Sequence, residues 1–230
     1  MGFEGFPDRL LPFYEGLAAD NSKAYWSDHK AVYQQCVAEP MQALLDELGP
    51  EFGEAKFFRP YRDVRFSKDK TPYKTHAAAV VGDGSAALYL QLGADGLLIA
   101  GGCYHAAADQ VQRYRAAVTD PAGAQLAALL DGLRGEGWQV GGDRLKRPPR
   151  GSDADHPRAE LMRHRTLTAS RQDEPSDWLH TAEAIDVVRN RWRALAPLNG
   201  WLTRWVGPSR EPAGPRATGR RSPADAATLR

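Results

Sequence analysis

The chain has 230 residues, a formal net charge of +1, and a hydrophobic share of 42% beside a charged share of 26%. That balance suits a soluble globular protein with one sizeable core, and the net charge of +1 conceals local basic clusters, so it says little about partners. No apolar run reaches the roughly 18 residues that a membrane span requires, and MGFEGFPDRLLPF lacks a basic leader, so no membrane partner and a cytoplasmic location are expected.

In chain order, Asp8 is expected to cap a short helix carrying Leu10, Phe13, Tyr14 and Leu17 at helical spacing. Asp20-Asn21-Ser22 restarts the chain into a long helix with Tyr25, Trp26, His29, Val32, Tyr33, Cys36 and Val37 on one side. Pro40 should kink that helix or begin a new one before Met41, Leu44, Leu45 and Leu48, and Gly49-Pro50 should end it. The period then changes to two. Segments 76–82, 85–92 and 97–104, with turns at GDGS (82–85) and Gly93 to Gly96, predict an antiparallel meander whose Leu88, Leu90 and Leu92 face the helices.

Beyond it, Val111, Tyr114 and Val118 mark one helix, and Pro121 opens another through Leu126, Leu129, Leu130 and Leu133. WQV (138–140) and TLTAS (166–170) read as short strands, and His156-Pro157 as the start of a short helix ending near Met162. Ser176 should cap a long helix that Pro197 interrupts, followed by a last segment with Leu198, Leu202, Trp205 and Val206. The predicted class is a single α+β domain over 1–206, an antiparallel sheet packed against several helices. A Pro/Gly/Arg-rich disordered tail is expected over 207–230, including Arg216, Arg220 and Arg221. Cys36 and Cys103 lack ligand spacing and read as buried reduced thiols.

The densest chemistry lies in RPYRDVRFSKDKTPYKTH (59–76), where Arg59, Arg62, Arg65, Lys68, Lys70 and Lys74 surround only Asp63 and Asp69. As an extended segment it would place Arg59, Tyr61, Asp63 and Arg65 on one face and Arg62, Val64 and Phe66 on the other. Guanidinium forks bind carboxylate and phosphate oxygens bidentately, so the cluster points to an anionic ligand, or else to a structural ion-pair lattice. Asp63 should stay ionised and orient Arg59 and Arg65, while Arg62 braces the fold through a helix carboxylate or a carbonyl. A second basic segment, GDRLKRPPRG (142–151), carries Arg144, Lys146, Arg147 and Arg150 in a Pro-stiffened loop, and joins the first if both flank one anion.

Together with Tyr104-His105, these two segments resemble the DUF2461 family of bacterial proteins, also found within larger fungal proteins, over roughly Phe6 to Val206. The resemblance implies that Arg59, Arg62, Asp63, Arg65, Phe66, Asp69, Lys70 and Tyr73 are motif positions, and it implies no activity. From the residues themselves, the expected function is binding of a phosphate- or carboxylate-bearing small ligand by Arg59, Arg62, Arg65, Lys70, Lys74, Arg144, Lys146, Arg147 and Arg150. Tyr61, Tyr73 and Tyr104 would supply hydroxyls and ring faces. Catalysis is left open; His105 is the proton-transfer candidate, with phosphoester or acyl chemistry as the class. The alternative is a nucleic-acid-binding or protein-interaction module using the same basic surface. No GxSxG, Walker or GxGxxG motif and no HExxH or HxH spacing occurs, so neither a metal nor a cofactor is expected.

Overall fold

Six strands form one antiparallel sheet in the order β1-β2-β3-β4-β6-β5. They are β1 (Ala55–Phe57), β2 (His76–Asp83), β3 (Ala86–Gly93), β4 (Gly96–Cys103), β5 (Gln139–Gly141) and β6 (Leu167–Asp173). The computed structural model describes residues 2–65, 69–153 and 155–211. Phe66, Ser67 and Lys68 of the basic segment, and the expected tail beyond Glu211, lie outside the described residues. β1 pairs with β2 in a register that sets Ala55 opposite Val81, and β5 pairs with β6 with Gln139 opposite Ser170. The meander follows the alternation and turn residues of the sequence. At its first turn the Asp83 carboxylate accepts from the Ser85 amide at 2.8 Å, and Gly82 takes φ +85°, where a side chain would meet the Ala86 carbonyl. Leu88, Leu90 and Leu92 are buried, and so are Ala87 and Tyr89 on the opposite face.

The chain divides into two compact units, residues 1–81, 89–99 and 172–191 in one, and 82–88, 100–171 and 192–230 in the other. The first contains α1 (Leu10–Ala19), α2 (Lys23–Tyr33) and α3 (Glu39–Phe52). Ser22 caps α2 by accepting from the Tyr25 amide at 3.1 Å, whereas α1 starts at Arg9 with no side-chain cap. Asp8 instead lies 3.4 Å from His180. A π turn, Gln34–Ala38, joins α2 to α3 without a break, and Pro40 falls in the first turn of α3. α3 does not stop at Gly49-Pro50 but runs to Phe52, ending at Gly53 with φ +98°. The core of this unit includes Leu10, Leu17, Met41, Leu44 and Leu48, each nearly or fully buried.

The second unit holds α4 (Ala108–Thr119), α5 (Pro121–Gly135) and α6 (Ala159–Met162). Tyr114 donates to the Leu161 carbonyl at 3.0 Å and the Trp201 indole to the Ala122 carbonyl at 2.9 Å, so both of these buried polar tips have a partner. Two helix boundaries differ from expectation. Ser176 precedes a 3-10 turn, Asp177–His180, and α7 (Glu183–Trp205) starts after it. Pro197 sits inside α7 without ending it. The start of the expected tail is tied down: the Asp109 carboxylate accepts from the Ser209 hydroxyl and the Arg210 amide, both at 2.8 Å, and Arg113 donates to the Pro208 carbonyl at 2.7 Å. Among the described residues no helix is long and apolar enough to cross a membrane.

Candidate functional site

The basic segment leaves β1 at Phe58, whose amide donates to the Ala78 carbonyl at 2.9 Å. Of the strand expected over 59–66, the described residues 59–65 form none. Pro60 and Pro72 have no N–H to extend a ladder, and pairing shrinks to one antiparallel bridge between Tyr61 and Tyr73. That bridge is flanked by Arg62 N–H to Pro72 C=O (2.9 Å) and Lys74 N–H to Pro60 C=O (2.8 Å). Tyr61 and Tyr73 are therefore a non-hydrogen-bonded pair, the kind that brings opposed side chains closest, and their ring centroids lie 5.5 Å apart.

Two residues of the helical layer hold this bridge. The Asn21 side chain accepts from the Tyr73 amide at 3.0 Å and donates to its carbonyl at 3.1 Å, completing the backbone groups that a lone bridge leaves open. Trp26 stacks on Tyr73 at 4.4 Å and 9° and meets Tyr61 at 5.8 Å. Tyr73 and Trp26 are buried, while Tyr61 remains 47% exposed.

The charges sort into engaged and unengaged groups. Arg62 donates to both Asp69 and Thr71, and Asp69 also accepts from the Thr71 amide at 2.9 Å and hydroxyl at 2.8 Å. These bonds, the Thr71 pair foremost, lower the Asp69 pKa. Arg62 thus braces the segment as expected, through a carboxylate of the loop instead of one from a helix. Arg65 forks onto Asp63 through Nε at 2.9 Å and an amino group at 2.7 Å. Both side chains are more than half exposed, so the pair faces solvent and contributes little stability. Lys70 donates to the Val64 carbonyl at 2.9 Å.

Arg59 and Lys74 differ: among the described residues neither has a carboxylate within ion-pair distance. The Lys74 ammonium is half-buried, 5.1 Å from the centre of the Phe58 ring. Burial, and then the charges of Arg59 and Arg62, hold its pKa below the ordinary lysine value. The arrangement therefore combines an ion-pair lattice, Arg62-Asp69 and Arg65-Asp63, with two cations that make no ion pair among the described residues, Arg59 acting on Asp63 only from a distance.

A family model described as conserved hypothetical protein (DUF2461) matches residues 9–201. The chain belongs to the DUF2461 family. No curated protein and no solved structure matches it. Of the DUF2461 motif positions, Arg62, Asp63, Arg65, Asp69 and Lys70 are engaged within the loop, Tyr73 is its anchor to the helices, and Arg59 is the one whose charge acts on both Asp63 and Lys74.

The remaining predicted residues of this DUF2461 chain lie in the second unit. Arg144, Lys146, Arg147 and Arg150 are all exposed, on a segment tied to its neighbour by the Arg144–His164 bridge and by Leu145 N–H to Arg163 C=O at 2.8 Å. Tyr104 is half-buried near Gly84, and His105 is exposed, its amide directed at the Gly84 carbonyl. None of these lines a recess in the same unit that is bounded by Cys103, Gln110, Tyr114, His164, Arg165 and Leu202 among others. His164 there shares its Nδ1 hydrogen with the Thr166 carbonyl at 3.0 Å, which fixes the tautomer, and burial lowers its pKa. Burial pushes the Cys103 thiol up to about 11, leaving it a poor nucleophile. Sequence reasoning missed this recess because Tyr114 carries an ordinary core signal and His164 has no ligand spacing. Among the described residues no three His, Cys, Asp or Glu side chains gather to hold a metal ion.

The Asp63 geometry makes a pH prediction. The Arg65 hydrogen bonds, first from its side chain and then from its amide, with Arg59 adding a smaller effect, hold the Asp63 carboxyl down to about 2. Its folded value is below its unfolded value near ~3.9, so the associated stability is present above that unfolded value and is lost as pH falls through the folded one. An NMR titration is expected to give Asp63 a midpoint clearly below an ordinary aspartate, and Arg65→Gln, which keeps the amide at 65 and the Arg59 charge, should raise it part of the way back. A midpoint near neutrality would instead make Asp63 a general acid or base.

Proposed function

We propose that this DUF2461 protein binds a small phosphate- or carboxylate-bearing ligand through Arg59 and Lys74, with Arg62 and Lys70 adding positive potential at the rim. The observation that carries the reading is the half-buried Lys74 ammonium, which faces the charges of Arg59 and Arg62 with no carboxylate partner among the described residues. A partly desolvated cation beside two others is unfavourable in the empty protein, and an anion relieves both the desolvation and the repulsion. Asp63 and Asp69 serve this site indirectly by fixing Arg65 and Arg62. The cations of 144–150, in the second unit, are exposed, solvated and screened. A cytoplasmic location belongs to the same reading and is supported by two buried free thiols, Cys36 and Cys103.

Thermal unfolding in phosphate, sulfate and citrate, against chloride at matched ionic strength, tests it. A ligand at 100 times its Kd should stabilise the fold by about 2.7 kcal/mol. Lys74→Met and Arg59→Gln should each remove most of that gain, whereas Arg147→Ala should leave most of it. Lys74→Met carries a second signature. The folded Lys74 pKa is lowered, so its charge opposes folding at neutral pH, and the penalty fades only as pH rises through the folded value towards the unfolded ~10.4. In the absence of anion, Lys74→Met should therefore match or exceed the parent Tm, the residue being kept at some expense to stability. An unchanged anion gain in the Arg59→Gln, Lys74→Met double variant would overturn the proposal.

A further inference from the structure

The chain leaves α7 through Gly207, which takes φ +61°, and turns back onto the first turns of α4. Three α4 side chains hold it there. Gln110 donates to the Gly207 carbonyl and Arg113 to the Pro208 carbonyl, both at 2.7 Å, and Arg113 also donates to the Val206 carbonyl. Asp109 accepts from the Ser209 hydroxyl and the Arg210 amide and pairs with Arg113, each at 2.8 Å. These bonds, the Arg210 amide foremost, hold the Asp109 carboxyl well below the usual carboxylate range, so the fastening stays charged across ordinary pH.

Everything that fastens this strap is polar. Pro208, Ser209, Arg210 and Glu211 are exposed, and no residue of 207–211 is buried. Hydrogen bonds exchanged for bonds to water each contribute little net stability, and here they are set against the entropy of ordering a short run of chain. Such a segment opens locally at far smaller cost than the packed core. Its anchors belong to the recess described above: Gln110 and Val206 both line it, together with Cys103, Tyr114, His164 and Leu202, and all six are buried. The cavity, about 10 Å³, has room for one water molecule and no more. We infer that residues 207–210 are a releasable latch: its local opening frees Gln110 and the end of α7 and admits small molecules from solvent to Cys103 and His164, while the rest of the unit stays folded. This inference is independent of the anion reading, whose residues lie in the other unit.

The test follows the two thiols separately, since Cys103 lines the recess and Cys36 is buried in the other unit. In a full-length Cys36→Ser background, the rate at which 4,4′-dithiodipyridine modifies Cys103 is measured under native conditions, and a Cys103→Ser background reports Cys36 in the same way. Asp109→Ala removes two strap bonds and the partner of Arg113, and is expected to raise the Cys103 rate about tenfold or more while leaving the Cys36 rate unchanged. Ser209→Ala, which removes one bond, should raise it by less. Arg134→Met breaks an exposed ion pair of α5 and should leave both rates at their parent values. Hydrogen exchange provides a readout that needs no variant: the Arg210 amide should exchange far faster than the Leu130 amide inside α5. A Cys103 rate unchanged in Asp109→Ala would overturn the inference. So would a rise of equal size at Cys36, which means global unfolding, or an Arg210 amide that exchanges as slowly as that of Leu130.

Discussion

Trp26→Ala is expected to cost about 3–5 kcal/mol and to abolish anion binding together with it. Trp26 is buried, stacks on Tyr73, and packs against Tyr33 at 4.9 Å and Phe13 at 6.2 Å, so truncation leaves a cavity where core and loop meet. Trp26→Phe keeps a ring in place and should cost less than half as much. Urea unfolding reads the first effect and the phosphate-dependent shift in Tm the second. An unchanged urea midpoint in Trp26→Ala would mean that the loop is not held by this stack.

Gly102→Ala should destabilise the second unit by about 3 kcal/mol or more, although it adds one methyl group. Gly102, in β4, has φ +118°, and its added Cβ would collide with the Leu167 carbonyl and come within 3.0 Å of the Thr168 Cα, both backbone atoms of β6 that cannot rotate away. Conformational strain and overpacking therefore add. The matched control is Gly132→Ala within α5, where nothing lies within 4 Å of the new Cβ. There the helix propensity term is alone, and a gain of up to about 1 kcal/mol is expected. Parallel denaturation of the two variants checks both signs; equal stability would contradict the packing of β4 on β6.

Much of the scaffold is legible in local chemistry. Alternation over 76–104, with glycine and aspartate at the turns, prescribes the meander to within a residue, and Ser22 and Pro121 mark helix starts by the hydrogen bonds they supply or lack. Prolines are less legible. Pro50 and Pro197 lie inside helices because buried neighbours, Leu48 in one case and Leu195 and Leu198 in the other, hold the backbone through the missing bond. Pro60 and Pro72 act in the opposite direction, and the basic stretch becomes a loop where alternation alone suggested a strand.

At the site, the Asp63-Arg65 pair spans two residues and could be read from spacing. The Arg62-Asp69 pair depends on a loop that closes over seven, and the Asn21 clamp on Tyr73 crosses 52 positions. Contacts of that kind leave no periodic trace. The cation density of the motif was visible at once; which cations would be neutralised was a property of the fold.

The most direct test is an NMR titration of the Lys74 ε-ammonium with and without saturating phosphate. Without anion its midpoint should lie below the ordinary ~10.4 because of burial and the neighbouring Arg59 and Arg62 charges. On the proposed reading, phosphate should stabilise the protonated form and move the midpoint upward, by less in Arg59→Gln. A Lys74 that titrates at the ordinary value and does not respond to phosphate would contradict the claim that this loop is an anion site.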